Sequence, residues 1–133
     1  MTLFPALDIS ASGIDAAQTW IDTTGGNIAN ADDVSPTSES AYETQTPVFS
    51  PVAIDGTAGE AVEVSTVDLS GAAGQVVHDP GSALADSQGD VRQSDVDLAS
   101  QMIDLVAAQE DYQSNATAFE SAMTAYKSAL TLA

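Results

Sequence analysis

The last third of the chain, from Val96 to Leu132, constrains the fold more than any other stretch. Leu98, Met102, Leu105, Gln109, Tyr112, Ala116, Phe119, Met123, Tyr126 and Leu130 recur there at steps that alternate four and three, the spacing of a heptad seam. No Pro or Gly interrupts the run, and Ala, Leu, Met, Gln and Glu give it good local helix propensity. One continuous helix is expected, about 50 Å long at 1.5 Å per residue. Its start is signalled by Ser94-Asp95-Val96-Asp97, where Ser94 and Asp97 stand at capping-box spacing and the acids suit the positive end of the helix dipole. The stripe is narrow, widened by Ile103 and Val106 only in its first half, so it cannot build a core alone. It needs a partner helix.

That partner lies at the other end of the chain. Leu7, Ser10, Ile14, Ala17, Ile21, Thr24 and Ile28 repeat the same steps between Asp8 and Ala29, although Gly13, Gly25 and Gly26 cost helix stability at about 1 kcal/mol each. Pairing the two gives a mainly α fold, with N- and C-terminal helices packed as a coiled coil and a small β-rich hairpin region between them. Residues 1–31 plus 95–133 then form the coiled-coil domain, and 32–94 an extended loop and short-strand insertion. Two helices of an ordinary small bundle are the competing arrangement.

Within the insertion, residues 27–40 are rich in Asn, Asp, Ser and Pro and read as a helix stop followed by an exposed loop. Thr46 to Ile54 reads as an edge strand, because Pro47 and Pro51 cannot donate to a ladder. Ala61 to Leu69 alternates with a change of phase between Val64 and Val67, the sign of a bulge. A third strand over Gly74 to His78 ends at the turn signal Asp79-Pro80-Gly81.

Charge narrows the function classes. Twenty acidic residues stand against Arg92 and Lys127, a net charge of −18, so nucleic acid and anionic membrane are excluded as partners. The acids are spread along the chain, a pattern that suits a saline interior or medium, where salt screens self-repulsion. There is no cysteine, and the first residues carry neither a basic group nor a long apolar run, so neither a cleaved signal peptide nor a membrane span is expected.

Catalytic chemistry finds no support. His78 is the one histidine and stands beside Asp79, but no serine sits in a nucleophile elbow, and His78 reads as a turn cap. The clusters Asp32-Asp33 and Asp90, Asp95, Asp97 lack the alternation, central Gly and closing Glu of a calcium loop. No catalytic residue, cofactor, metal or small-molecule substrate is expected.

Several segments together are specific. Phe4 with Leu7-Asp8-Ile9-Ser10-Ala11-Ser12-Gly13-Ile14 and Asn27-Ile28-Ala29-Asn30-Ala31 is followed by Tyr42 to Phe49. Then come Asp79-Pro80-Gly81-Ser82-Ala83-Leu84-Ala85-Asp86-Ser87-Gln88-Gly89-Asp90-Val91, Asp95-Val96-Asp97-Leu98 and Ala107 to Asn115. In these the chain resembles the bacterial flagellar rod and hook axial proteins, and among them the proximal rod proteins, from end to end apart from residues 33–41 and 57–74. Glu43-Thr44-Gln45 and Glu110-Asp111 depart from it where family members tend to carry Arg or Lys.

The resemblance implies a non-catalytic structural subunit of the basal-body rod. Such a subunit self-associates with other rod subunits and the rod-base junction protein through its terminal helices. It leaves the cytoplasm through the flagellar type III export apparatus without a cleaved signal and lies in the periplasmic span of the rod. The expected assembly seam is Ile14, Ile21, Ile28, Leu98, Met102, Leu105, Tyr112, Phe119, Met123 and Leu130. The motif positions are Asn27, Asn30, Asp79, Pro80, Leu84, Ala85, Asp86, Gly89, Asp97 and Asn115, with Asn27 and Asn30 ending the first helix and fixing the exit of the chain. The alternative is an acidic coiled-coil binding module or export adaptor in a salt-adapted bacterium, which would form small complexes of fixed stoichiometry.

Overall fold

The structure, a computed structural model, describes residues 3–54 and 60–132. Residues 1–2, 55–59 and 133, which fall in the expected coiled-coil and insertion segments, lie outside the described residues, as does the side chain of Phe4. Helix α1 runs over Leu3–Ala29 and helix α2 over Leu98–Thr131. Between them come β1 (Val34–Ser35), β2 (Gln45–Ala53), β3 (Glu60–Leu69), β4 (Gln75–His78) and β5 (Asp90–Gln93).

The expectation of a mainly α coiled coil is overturned. The described residues are 48% helical and 24% strand, with two antiparallel sheets between the terminal helices. Nor do the most buried helix positions coincide with the large residues of the heptad stripe. On α2 they are Gln101 and Ala108, one residue before Met102 and Gln109. On α1 they are Ser10, Gly13, Ala16, Ala17, Thr24 and Asn27. A shift of one residue rotates a helix by about 100°. The shift applies to α2; on α1 the buried Ser10, Ala17 and Thr24 are the small members of the stripe itself. On both helices, small and polar side chains hold the buried positions where a coiled coil would place large knobs.

The three expected strands are not one hairpin region either. β2 and β3 form a two-stranded sheet, while β4 joins a second sheet of order β1-β5-β4. β5 is its centre, pairing Val77 with Val91 and His78 with Asp90 on one side, and Val34 with Gln93 on the other. β3 continues unbroken through the phase change, and its far end, Val67 and Leu69, is exposed. Pro47 and Pro51 stand four apart on β2, hence on the same edge, and neither can donate to a ladder.

The chain divides into two compact units, Met1–Ile21 with Pro47–Thr66 and Val106–Ala133, and Asp22–Thr46 with Val67–Leu105. In the first, Ser10, Ala16, Ala17 and Ala108 are buried, and Trp20 meets Phe49 edge to face at 6.0 Å between ring centroids, a contact worth about 1 kcal/mol beyond its area. The Ser12 hydroxyl accepts the N–H of Val62 at 3.1 Å, which ties β3 to α1. Gly13 faces Asn115 so closely that an added Cβ would lie 2.5 Å from the Asn115 Cγ. In the second unit the buried residues are Thr24, Asn27, Ala41, Val91, Ser94 and Gln101. Two of these six are apolar.

Candidate functional site

The second unit is organised by one amide. Asn27 lies in the last turn of α1, 1% exposed, and an amide buried this deeply costs free energy unless each of its groups is paired. All are paired. Its Oδ1 accepts from the Gln45 N–H at 2.9 Å and from the Tyr42 hydroxyl at 3.0 Å. Its Nδ2 donates to the Gln45 carbonyl and to Gln101 Oε1, both at 2.8 Å. One side chain thus joins the end of α1, the strand start at residue 45 and the first turns of α2, and partial burial pushes the Tyr42 phenol pKa up. Asn30 acts locally, donating its Nδ2 to the Gly26 carbonyl at 2.8 Å just past the helix. Of the two asparagines, Asn27 is the one that reaches a distant segment.

Residues 79–89 form the connection from β4 to β5 and hold themselves by short-range bonds. Asp79 Oδ1 accepts the Gly81 N–H, and Ser82 Oγ accepts the N–H of Leu84, whose side chain is exposed. The Ala85 N–H reaches the Ser82 carbonyl at 3.2 Å. Pro80 follows Asp79 in the opening turn, and the Asp79 N–H closes the loop onto the Gly89 carbonyl at 2.9 Å. Gly89 has φ +82, and a Cβ there would lie 2.9 Å from His78 Cε1, so both backbone and space require glycine. Asp86 is the anchor: its Oδ1 accepts the N–H groups of Gln88 at 2.8 Å and Asp90 at 3.1 Å, and its Oδ2 accepts the Thr37 hydroxyl at 2.9 Å. The Asp90 N–H first, then the Gln88 N–H and the Thr37 hydroxyl, hold its pKa below the ordinary aspartate value. His78 Nδ1 lies 2.8 Å from Asp90 Oδ1 in an exposed pair. Arg92 donates Nη1 to the Gly74 carbonyl and Nη2 to the Thr37 carbonyl, both at 3.1 Å, and so braces the same loops.

At the start of α2 the cap is Asp97, whose Oδ1 accepts the N–H of Ala99 at 3.1 Å and of Ser100 at 3.4 Å. The expected reciprocal box with Ser94 does not form, because the Ser94 N–H is taken by the Asp33 carbonyl at 3.0 Å, which continues the strand pairing. Further along, Asn115 donates Nδ2 to the Asp111 carbonyl and packs on Gly13.

The expected seam residues take three environments. Ile14, Ile21 and Ile28 are half-buried on α1, and Leu105, Phe119 and Met123 are half-buried on α2. Leu98, Met102, Tyr112 and Leu130 are exposed, as are Ile103 at 70% and Val106 at 56%. The residues that the sequence did not single out are Gln101 and Thr37, both polar partners supplied by a distant segment. Gln101 sits four residues after the Asp97 cap, but nothing in its neighbours signals burial. Among the described residues no group of three or more His, Cys, Asp or Glu is placed to hold a metal ion, and no helix is long and apolar enough to cross a membrane.

Asn27, Tyr42, the 79–90 loop, Asp97 and Asn115 all lie in the sequence segments that carry the resemblance to flagellar axial proteins. No protein-family model matches the chain. It is, however, 34% identical to the flagellar basal-body rod protein FlgC of Escherichia coli over 98 residues, 74% of this chain and 73% of that protein. The FlgC of Salmonella typhimurium matches at the same identity and coverage, and that of Yersinia enterocolitica at 32% over the same length. At this identity and over this share of both chains, the protein belongs to the FlgC family of flagellar basal-body rod proteins.

Proposed function

We propose that this chain polymerises through its terminal helices, with its own copies and with other rod subunits, into the periplasm-crossing drive shaft of the flagellum. As a FlgC-family member it is a structural protein of the basal-body rod and not an enzyme, and it associates with other rod components there. The finer reading rests on one observation: α2 places Gln101 and Ala108 inside and leaves large apolar side chains outside. Leu98 is 44% exposed, Met102 56% and Ile103 70%. Exposed apolar side chains of this size on one helix are what a further helix would cover. Leu130 and the half-buried Ile14, Ile21, Ile28 and Phe119 border the same kind of contact. Contacts with the rod-base junction protein, export through the type III apparatus without a cleaved signal and placement in the periplasmic span belong to the same reading.

The test is a Met102→Asp/Ile103→Asp variant. Both side chains are exposed in the single chain, so the variant should keep its circular dichroism spectrum while failing to enter rods and abolishing motility, because a carboxylate would be buried at a subunit contact. Rods of normal length built from this variant would refute the helix-mediated contact.

A further inference from the structure

The unit made of Asp22–Thr46 and Val67–Leu105 combines two properties that pull against each other. It contains twelve acidic residues and a single basic one, Arg92, while its buried apolar side chains are Ala41 and Val91. The hydrophobic gain on folding is therefore small, and like charges crowd together as the chain closes. Arg92 offsets only one of these charges, and its guanidinium donates to the carbonyls of Gly74 and Thr37 rather than to a carboxylate.

The charge cannot be shed by taking up protons without undoing the fold. Asp86 accepts the N–H groups of Gln88 and Asp90, Asp33 accepts the N–H of Tyr42, and Asp97 accepts the N–H groups of Ala99 and Ser100. An ionised carboxylate is the stronger acceptor for such donors. Several of the twelve repelling carboxylates thus also hold turns, so relief that keeps those bonds comes from the solution. The screening length is about 30 Å at 10 mM salt, longer than the separation of most charges in a unit this size, and about 3 Å at 1 M.

We propose that this unit is a salt-conditional fold: in the isolated chain the β1–β5–β4 sheet and the Asn27 network are open at low ionic strength, and mobile counter-cations close them without a dedicated ion site. The salt then acts through screening, so its concentration matters and the identity of its monovalent cation does not.

The experiment is amide hydrogen exchange of the full chain, read by mass spectrometry over the β4–β5 ladder and the Gln45 amide, at 10 mM and 1 M salt. Protection should rise by ~100-fold or more, equally in sodium, potassium and tetramethylammonium chloride. A triple variant, Asp32→Asn, Glu39→Gln and Glu43→Gln, which touches none of the carboxylate hydrogen bonds named above, should reach the same protection at a lower salt concentration. A ladder already protected at 10 mM overturns the proposal. So does a response to sodium or potassium but not to tetramethylammonium, which would mark a bound ion. Protection restored at 10 mM salt by sucrose alone also overturns it, because sucrose strengthens burial without screening charge.

Discussion

Truncating Asn27 to Ala would remove four hydrogen bonds at once and leave four groups facing the gap: the Gln45 N–H, the Gln45 carbonyl, Gln101 Oε1 and the Tyr42 hydroxyl. Tyr42 and Gln101 can swing their side chains toward water, but the backbone of Gln45 is fixed by the start of β2. A buried polar group without a partner costs about 1–3 kcal/mol. Two fixed groups therefore set the scale at about 4 kcal/mol, reduced by roughly 0.6 kcal/mol because Ala is the better helix former. The expected loss is about 3 kcal/mol. Urea unfolding in 1 M NaCl, followed by circular dichroism, measures it; guanidinium would itself screen the charges. Gln101→Ala removes one of the four bonds, so a double-mutant cycle with Asn27→Ala should show a coupling of about 1 kcal/mol. If Asn27→Ala costs less than about 1 kcal/mol, or if the two substitutions are additive, the amide is not the junction that its geometry implies.

Two glycines of α1 should respond in opposite directions to Ala. At Gly13 the new Cβ would overlap the Asn115 side chain, so Gly13→Ala should lower stability by about 1–2 kcal/mol despite better helix propensity, and pairing it with Asn115→Ala should recover most of the loss. At Gly25 a Cβ meets nothing within 4 Å, and Gly25→Ala should raise stability by about 0.5–1 kcal/mol, as read from the urea midpoint. Asp86 gives a pH signature. Its pKa is lower in the folded state, so its contribution is full above the ordinary aspartate pKa and fades as the pH falls through the depressed one. Wild-type amides at Gln88 and Asp90 should therefore stay protected at neutral pH and lose protection only below the usual aspartate range, whereas in Asp86→Ala they should exchange rapidly at every pH. Equal protection in the two proteins at neutral pH would remove Asp86 as the anchor of the loop.

The sequence made the helices legible because 3-and-4 spacing is a local signal, and both were expected within a few residues of where they lie. On α1 the small members of the expected stripe, Ser10, Ala17 and Thr24, are among the buried residues, but the sequence did not reveal which face of α2 turns inward. That choice depends on which side chains pair across segments: Asn27 draws Gln101 in, Gly13 receives Asn115, and the larger Met102 is left outside. The sheets were legible strand by strand and not in their pairing. β5, only four residues with Val91 as its one buried apolar side chain, carries almost no periodic signal, yet without it β4 has no partner and the three expected strands look like one group. The turn that opens the 79–89 loop was legible from Asp79-Pro80-Gly81, since Asp79 acts through a bond two residues away, whereas the anchoring of Asp86 by the distant Thr37 was not. Asn27 was read as a helix stop. Its larger role depends on Tyr42 and Gln45, fifteen and eighteen residues away, and no local rule reports that distance.

The prolines of β2 have a consequence for edge-to-edge association of the sheet. A two-stranded sheet offers two free edges, and an edge with a full row of amide donors can recruit a strand from the next molecule and propagate without limit. Pro47 and Pro51 deprive β2 of two amide donors, and the Ser12 hydroxyl occupies the Val62 amide in the other strand. The hairpin is thereby a poor seed for fibrils. An extended segment of another chain then finds fewer free amides to pair with.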